Sequence, residues 1–104
     1  MVRVLIVDDH EPWRNFILSS LQKWPELQIA GEASDGRKAV QKSQKLQPDL
    51  ILLDLGLPTI NGIEAARQIR QQSSSARILF CSEIFSSDIA EQALRVGGML
   101  SGQV

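Results

Sequence analysis

Asp49-Leu50-Ile51-Leu52-Leu53-Asp54-Leu55-Gly56-Leu57-Pro58 decides the fold. Four large apolar residues run straight into an aspartate, and a glycine and a proline follow at once. Such a run predicts a short strand buried on both faces, as in the middle of a parallel sheet. Gly56 and Pro58 end pairing and start a turn. Asp54 therefore stands at the carboxyl end of a central strand, the edge where open α/β sheets place their ligands.

The first strand, Val2 to Val7, ends the same way, in Asp8-Asp9. If the two strands are parallel neighbours, three carboxylates meet in one crevice. Between them, Pro12 suits the first turn of a helix, where its missing N–H goes unneeded. Trp13, Phe16, Ile17, Leu21 and Trp24 recur at spacings of three and four, which predicts an apolar stripe against the sheet, closed by Pro25. Leu27, Ile29, Gly31 and Ala33 alternate with Gln28, Ala30 and Glu32, the pattern of a half-exposed strand near an edge. Ser34-Asp35-Gly36 makes a turn and helix cap, and the helix runs to about Leu46. Its Arg37, Lys38, Lys42 and Lys45 are read as a solvated face and not as a nucleic-acid footprint, because no aromatic or second basic element accompanies them.

Beyond the Asp54 strand, Asn61 with Glu64 three positions on is close to a capping box. It starts a third helix with Ile63, Ala66 and Ile69 expected inward, broken at Ser73-Ser74-Ser75. Ala76 to Cys81 reads as another fully apolar strand, ending at Ser82. Ser86 and Ser87 can cap a fourth helix with Ile89, Ala90, Ala93 and Leu94 inward, ended by Gly97-Gly98. Four strand–helix pairs in strict alternation imply an α/β fold, a doubly wound parallel sheet with right-handed crossovers.

The chain has 104 residues, which predicts one domain with a single core. A net charge of −1 gives no bulk attraction to nucleic acid or anionic membrane. The lone Cys81 lies in an apolar run and is expected to be an inert core residue. No stretch approaches the ~18 to 20 apolar residues of a membrane span, and the start lacks a signal-peptide layout. A cytoplasmic protein is the expectation.

Three carboxylates within a few ångströms repel one another unless a counter-charge intervenes. Mg²⁺ suits such a site: it takes one or two carboxylates and completes its octahedron with waters and phosphate oxygens. A carboxylate beside it can act as nucleophile toward a phosphoryl group, forming an aspartyl phosphate. Ser82, at the end of a neighbouring strand, could hydrogen-bond the arriving group. The preference of turns for aspartate explains any one of these residues, but all of them at aligned strand ends poorly.

Val7-Asp8-Asp9-His10, then Asp54 with Pro58 and Gly62, then Ser82 resemble the receiver domain of two-component response regulators. The resemblance spans residues 2 to 98. His10 and Arg77-Ile78-Leu79 most resemble receivers of the NarL/FixJ type, which precede a helix-turn-helix DNA-binding domain. It implies a flavodoxin-like, CheY-like sheet with strand order 2-1-3-4-5. It also implies that Asp54 accepts a phosphoryl group from a sensor histidine kinase. Asp8, Asp9, Asp54 and the Gly56 backbone carbonyl would hold Mg²⁺, Asp9 more directly than Asp8, and Ser82 would be the switch hydroxyl. Gly56 and Ile84 would tune how fast the phosphoryl group is lost. His10 is read as a residue beside the site, not as a phospho-donor or metal ligand.

The family pattern continues with a fifth strand ending in a lysine, and a fifth helix. This chain has no lysine after Lys45, and after Ser82 its only basic side chain is Arg95. A strand of ~6 residues and a helix of ~11 or 12, with loops, need roughly 20 residues. Only residues 99–104 follow Gly97-Gly98, so the fifth strand and helix are expected to be missing or incomplete. Two expectations follow. Phosphate binding should be weakened by the missing lysine and by the acidic Glu83. Apolar surface beside the first helix should favour a homodimer or an exchanged strand. The rival readings are a degenerate receiver that binds partners without phosphorylation, and a Mg²⁺-dependent phosphohydrolase, for which no separate general acid or substrate pocket is visible. Direct nucleic-acid contact by this chain is not expected.

Overall fold

Leu50, Ile51, Leu52 and Leu53 are completely buried, and the strand they form lies between two others. The computed structural model describes residues 1–72 and 75–80. In chain order these form β1 (Val2–Val7), α1 (Glu11–Leu21), β2 (Leu27–Ala33), α2 (Gly36–Leu46), β3 (Leu50–Leu53), α3 (Gly62–Gln71) and β4 (Arg77–Phe80). All pairings are parallel, in the order β2-β1-β3-β4. That is the expected order as far as these residues go. Cys81, Ser82, the expected fourth helix, its Gly97-Gly98 end and any fifth strand lie outside the described residues.

Strand alternation divides the core between the two faces of the sheet. Val4, Ile6, Leu50 and Leu52 pack with Leu27 against Ile17 and Leu21 of α1. Leu5, Val7, Ile51 and Leu53 pack on the other side with Ala39 of α2 and Ile69 of α3. Full burial of each such aliphatic side chain is worth about 1.5–3 kcal/mol, so the paired stripes on α1, α2 and α3 fix which face each helix covers.

The helix starts follow the residues that precede them. Pro12 occupies the first turn of α1. Asp35 caps α2, its carboxylate accepting from the Lys38 N–H at 2.8 Å. Asn61 caps α3, accepting from the Glu64 N–H at 2.9 Å. The reciprocal half of the expected capping box is replaced, because the Glu64 carboxylate pairs with Arg67 at 2.6 Å. At the far end of α2, Gln47 takes a left-handed conformation (φ 48°). There Arg3 of β1 donates from Nη1 to the carbonyls of Leu46 (2.7 Å) and Gln47 (2.9 Å), acceptors that the helix leaves unpaired.

Several inward assignments change. Helix α1 ends at Leu21, so Trp24 falls in the turn beyond it and is 42% exposed. Phe16 is 45% exposed and stacks on Trp13, ring centroids 5.6 Å apart. Ile63 is 60% exposed, because the buried line of α3 is Gly62, Ala65 and Ile69; Ile63 lies one position, about 100° of helix, off it. Strand β4 begins at Arg77 and is exposed at both ends, unlike the doubly buried strand expected from Ala76 to Cys81.

Strand β2 departs from simple alternation. Val4 pairs with Ile29 but Leu5 pairs with Gly31, which leaves Ala30 as an extra residue, a β-bulge. One inserted residue exchanges the faces of everything after it. Leu27 and Ile29 accordingly face α1, whereas Ala33 packs with the α2 and α3 cluster.

Candidate functional site

Register brings the acidic residues together. Val7 pairs with Leu53, so Asp8 and Asp54 leave the sheet side by side. The ladder extends to both: the Asp54 N–H donates to the Val7 carbonyl (3.0 Å) and the Asp8 N–H to that of Ala33 (3.1 Å). One carboxylate oxygen from each of Asp8, Asp9 and Asp54 lies within 4.8 Å of the others. Asp8 is buried, at 5% exposure, Asp54 is half-buried and Asp9 is exposed.

Like charges this close oppose each other, most strongly at Asp8, which is shielded from water. The Asp8 carboxyl is pushed above its ordinary value of 3.8, first by burial and then by the Asp54 and Asp9 carboxylates. The His10 N–H, donating to Asp8 Oδ1 at 2.8 Å, works in the opposite direction. An all-oxygen cluster of this kind, desolvated on one side and open on the other, matches a hard divalent cation and not a thiolate- or imidazole-seeking metal.

The turn after Asp54 is held at several points. The Gly62 N–H donates to the Leu55 carbonyl (2.8 Å), and the Gly36 N–H to that of Pro58 (3.1 Å). Thr59, with φ 68°, accepts from the Arg37 N–H at 3.2 Å. Gly56 is exposed in this turn, and a Cβ there would meet nothing within 4 Å. Gly36 and Gly62 differ: a Cβ on either would run into backbone, Ile60 O at 2.1 Å or Asp54 O at 2.2 Å. Ser82 and Ile84 lie outside the described residues. His10 offers its backbone to the cluster, as the N-cap position of α1 without a side-chain cap bond.

Sequence reasoning missed Arg14. Its Nη1 donates to the Asp8 carbonyl at 2.7 Å and its Nε to Glu32 Oε1 at 3.0 Å, while the Lys42 ammonium donates to the Glu32 carbonyl. Arg14, Glu32, Ala33, Ser34, Lys38 and Lys42 line a polar cleft of about 260 Å³. Nothing in the periodicity of α1 marks Arg14, because its partners lie on other elements. Among the described residues no helix is long and apolar enough to cross a membrane.

The family model for the response regulator receiver domain matches residues 4–100. The transcriptional regulatory protein LiaR of Bacillus subtilis is 35% identical over 99 residues, 95% of this chain and 47% of its own length. The chemotaxis protein CheY of Thermotoga maritima is 36% identical over 91% of this chain and 78% of its own. Among solved structures, the response regulator domain of Thermotoga maritima CheB superposes with a TM-score of 0.75. It is 34% identical, over 93% of this chain and 73% of that one. The chain spans about half the length of LiaR. With a matching family model over nearly its whole length, and relatives of this identity, the chain belongs to the receiver domains of response regulators.

Proposed function

We propose that this receiver accepts a phosphoryl group on Asp54 from the phosphohistidine of a sensor histidine kinase, in a Mg²⁺-dependent reaction in the cytoplasm. The observation that carries the reading is the convergence of Asp8, Asp9 and Asp54 within 4.8 Å at the carboxyl ends of β1 and β3. An Asp54 oxygen attacks phosphorus, the bond from phosphorus to the donor imidazole nitrogen breaks, and that nitrogen keeps the electron pair. Asp8, Asp9, Asp54 and the Gly56 carbonyl are the residues proposed to hold Mg²⁺. When bound, the ion would neutralise charge on the transferring oxygens. Asp54 is half-buried, accessible from one side, and its backbone is fixed by the hydrogen bond to Val7. Ser82 is proposed as the hydroxyl that meets the phosphoryl group.

Any catalysis in this chain is limited to its own phosphorylation and dephosphorylation. It is proposed to act as one domain, without touching nucleic acid itself. Self-association on the side of α1 that carries exposed Phe16 is the remaining partner proposal, read by light scattering at high concentration. A second reading is a receiver that signals through partners without phosphorylation.

Intact mass after incubation with a small-molecule phosphodonor separates the two. A gain of one phosphoryl group that requires Mg²⁺ and disappears in Asp54→Ala supports the acceptor reading. No adduct on folded protein favours the phosphorylation-independent one.

A further inference from the structure

We propose that Arg14 is a positioning residue for the acidic cluster, held in place by Glu32 and able to reach it only because of the bulge at Ala30. This inference rests on the Mg²⁺-dependent acceptor reading.

The Arg14 guanidinium uses two nitrogens on two different strands. Nε meets Glu32 Oε1 of β2 at 3.0 Å, and Nη1 meets the Asp8 carbonyl at the end of β1 at 2.7 Å. The Arg14 side chain is 16% exposed and that of Glu32 40%, so the guanidinium is shielded while the carboxylate still meets water. The Asp8 carbonyl belongs to the peptide that joins Asp8 to Asp9. Fixing that peptide fixes the directions in which two of the three carboxylates leave the chain. The His10 N–H bond to Asp8 Oδ1 restrains the Asp8 side chain itself. Arg14 thus acts on the backbone of the cluster, and His10 on one of its carboxylates.

The bulge explains how Glu32 reaches α1. Uninterrupted alternation from Leu27 and Ile29, which face α1, would send Glu32 to the α2 side. The extra residue, Ala30, reverses the parity. Gly31 then faces α2, where a Cβ would lie 2.7 Å from Leu46 Cδ1, and Glu32 turns to Arg14. The Lys42 ammonium anchors the Glu32 carbonyl from the other side of the sheet edge. A lysine at position 14 would keep the charge but, as a single compact donor, could not span both acceptors in this geometry.

The test is a set of Mg²⁺ titrations followed by backbone amide NMR shifts, with thermal melts in parallel, on wild type, Arg14→Met, Arg14→Lys and Glu32→Gln. Arg14→Met is expected to weaken Mg²⁺ binding about tenfold, the low end for residues that orient metal ligands from behind. Arg14→Lys should recover only part of that loss, and Glu32→Gln should weaken binding with Arg14 still present. If Arg14→Met does not fold, Arg14→Lys and Glu32→Gln decide. Wild-type Mg²⁺ affinity in the folded variants, even with a lowered melting temperature, overturns the proposal and leaves Arg14 a structural role. No Mg²⁺ binding by wild type removes this inference together with the reading beneath it, whereas binding that is indifferent to Arg14 removes this inference alone.

Discussion

Gly62, the first residue of α3, lies against the backbone of Asp54: a Cβ on Gly62 would sit 2.2 Å from the Asp54 carbonyl oxygen and 2.8 Å from the Leu55 Cα. The obstacle is main chain, which cannot rotate aside as a side-chain tip can. The requirement for glycine here is therefore one of space. Gly62→Ala should cost about 1–3 kcal/mol, the usual range for overpacking a filled site. It should also slow phosphoryl acceptance, because the displaced backbone carries Asp54. Urea unfolding midpoints and intact-mass time courses read the two effects. A variant of unchanged stability would show that α3 can withdraw without disturbing the acceptor.

Where each residue's partner lies decides how much of this was legible in the sequence. Leu50–Leu53 declared itself because burial on both faces needs an unbroken apolar run. Asp8, Asp9 and Asp54 were legible because strand ends in an alternating α/β chain must share one edge. The bulge was not: Leu27, Ile29, Gly31 and Ala33 alternate perfectly on paper, and only the pairing with β1 reveals the extra residue. Arg14 stayed hidden for a related reason, since both of its acceptors are distant in sequence. Ile63 and Phe16 failed differently. Spacings of three and four admit neighbouring lines on a helix, and the sheet chose the line that includes Ala65 and Ile69.

Arg3 joins β1 to the end of α2 through the Leu46 and Gln47 carbonyls. Methionine at this position keeps the aliphatic stem but removes the donors. Arg3→Met should cost about 1–2 kcal/mol, since charged donors make the stronger hydrogen bonds. Amide hydrogen exchange should quicken in the last turn of α2 before the rest of the helix. Uniform exchange across α2 would argue that the clamp is redundant with helix packing.

Thr59 holds φ at 68°, a region that β-branched residues avoid, while its hydroxyl accepts from the Arg37 N–H. Asparagine tolerates this backbone better and retains an oxygen acceptor. Thr59→Asn should therefore stabilise the chain by up to about 1 kcal/mol, part of the left-handed cost of an ordinary residue. A lowered melting temperature would mean that the threonine methyl or hydroxyl geometry outweighs the backbone strain.

Asp8 sets the pH response of the cluster. Burial, then Asp54 and Asp9, raise its carboxyl above the ordinary value of 3.8. The folded metal-free protein therefore holds the Asp8 proton more tightly than the unfolded chain does. The stabilising contribution of protonated Asp8 is fully present below about pH 3.8 and is lost as pH rises through the higher folded value. At neutral pH the ionised group is a net cost to folding. Asp8→Asn, which keeps an oxygen for the His10 N–H, should raise the melting temperature of metal-free protein by a few degrees at pH 7. That gain should shrink toward zero as pH falls to the ordinary carboxylate range. Mg²⁺ should stabilise the wild type more than the variant, since the cation needs the ionised carboxylate that folding alone disfavours. Melting curves across pH, with and without Mg²⁺, check all three parts. An Asp8→Asn gain that persists unchanged at low pH would assign it to packing instead of charge.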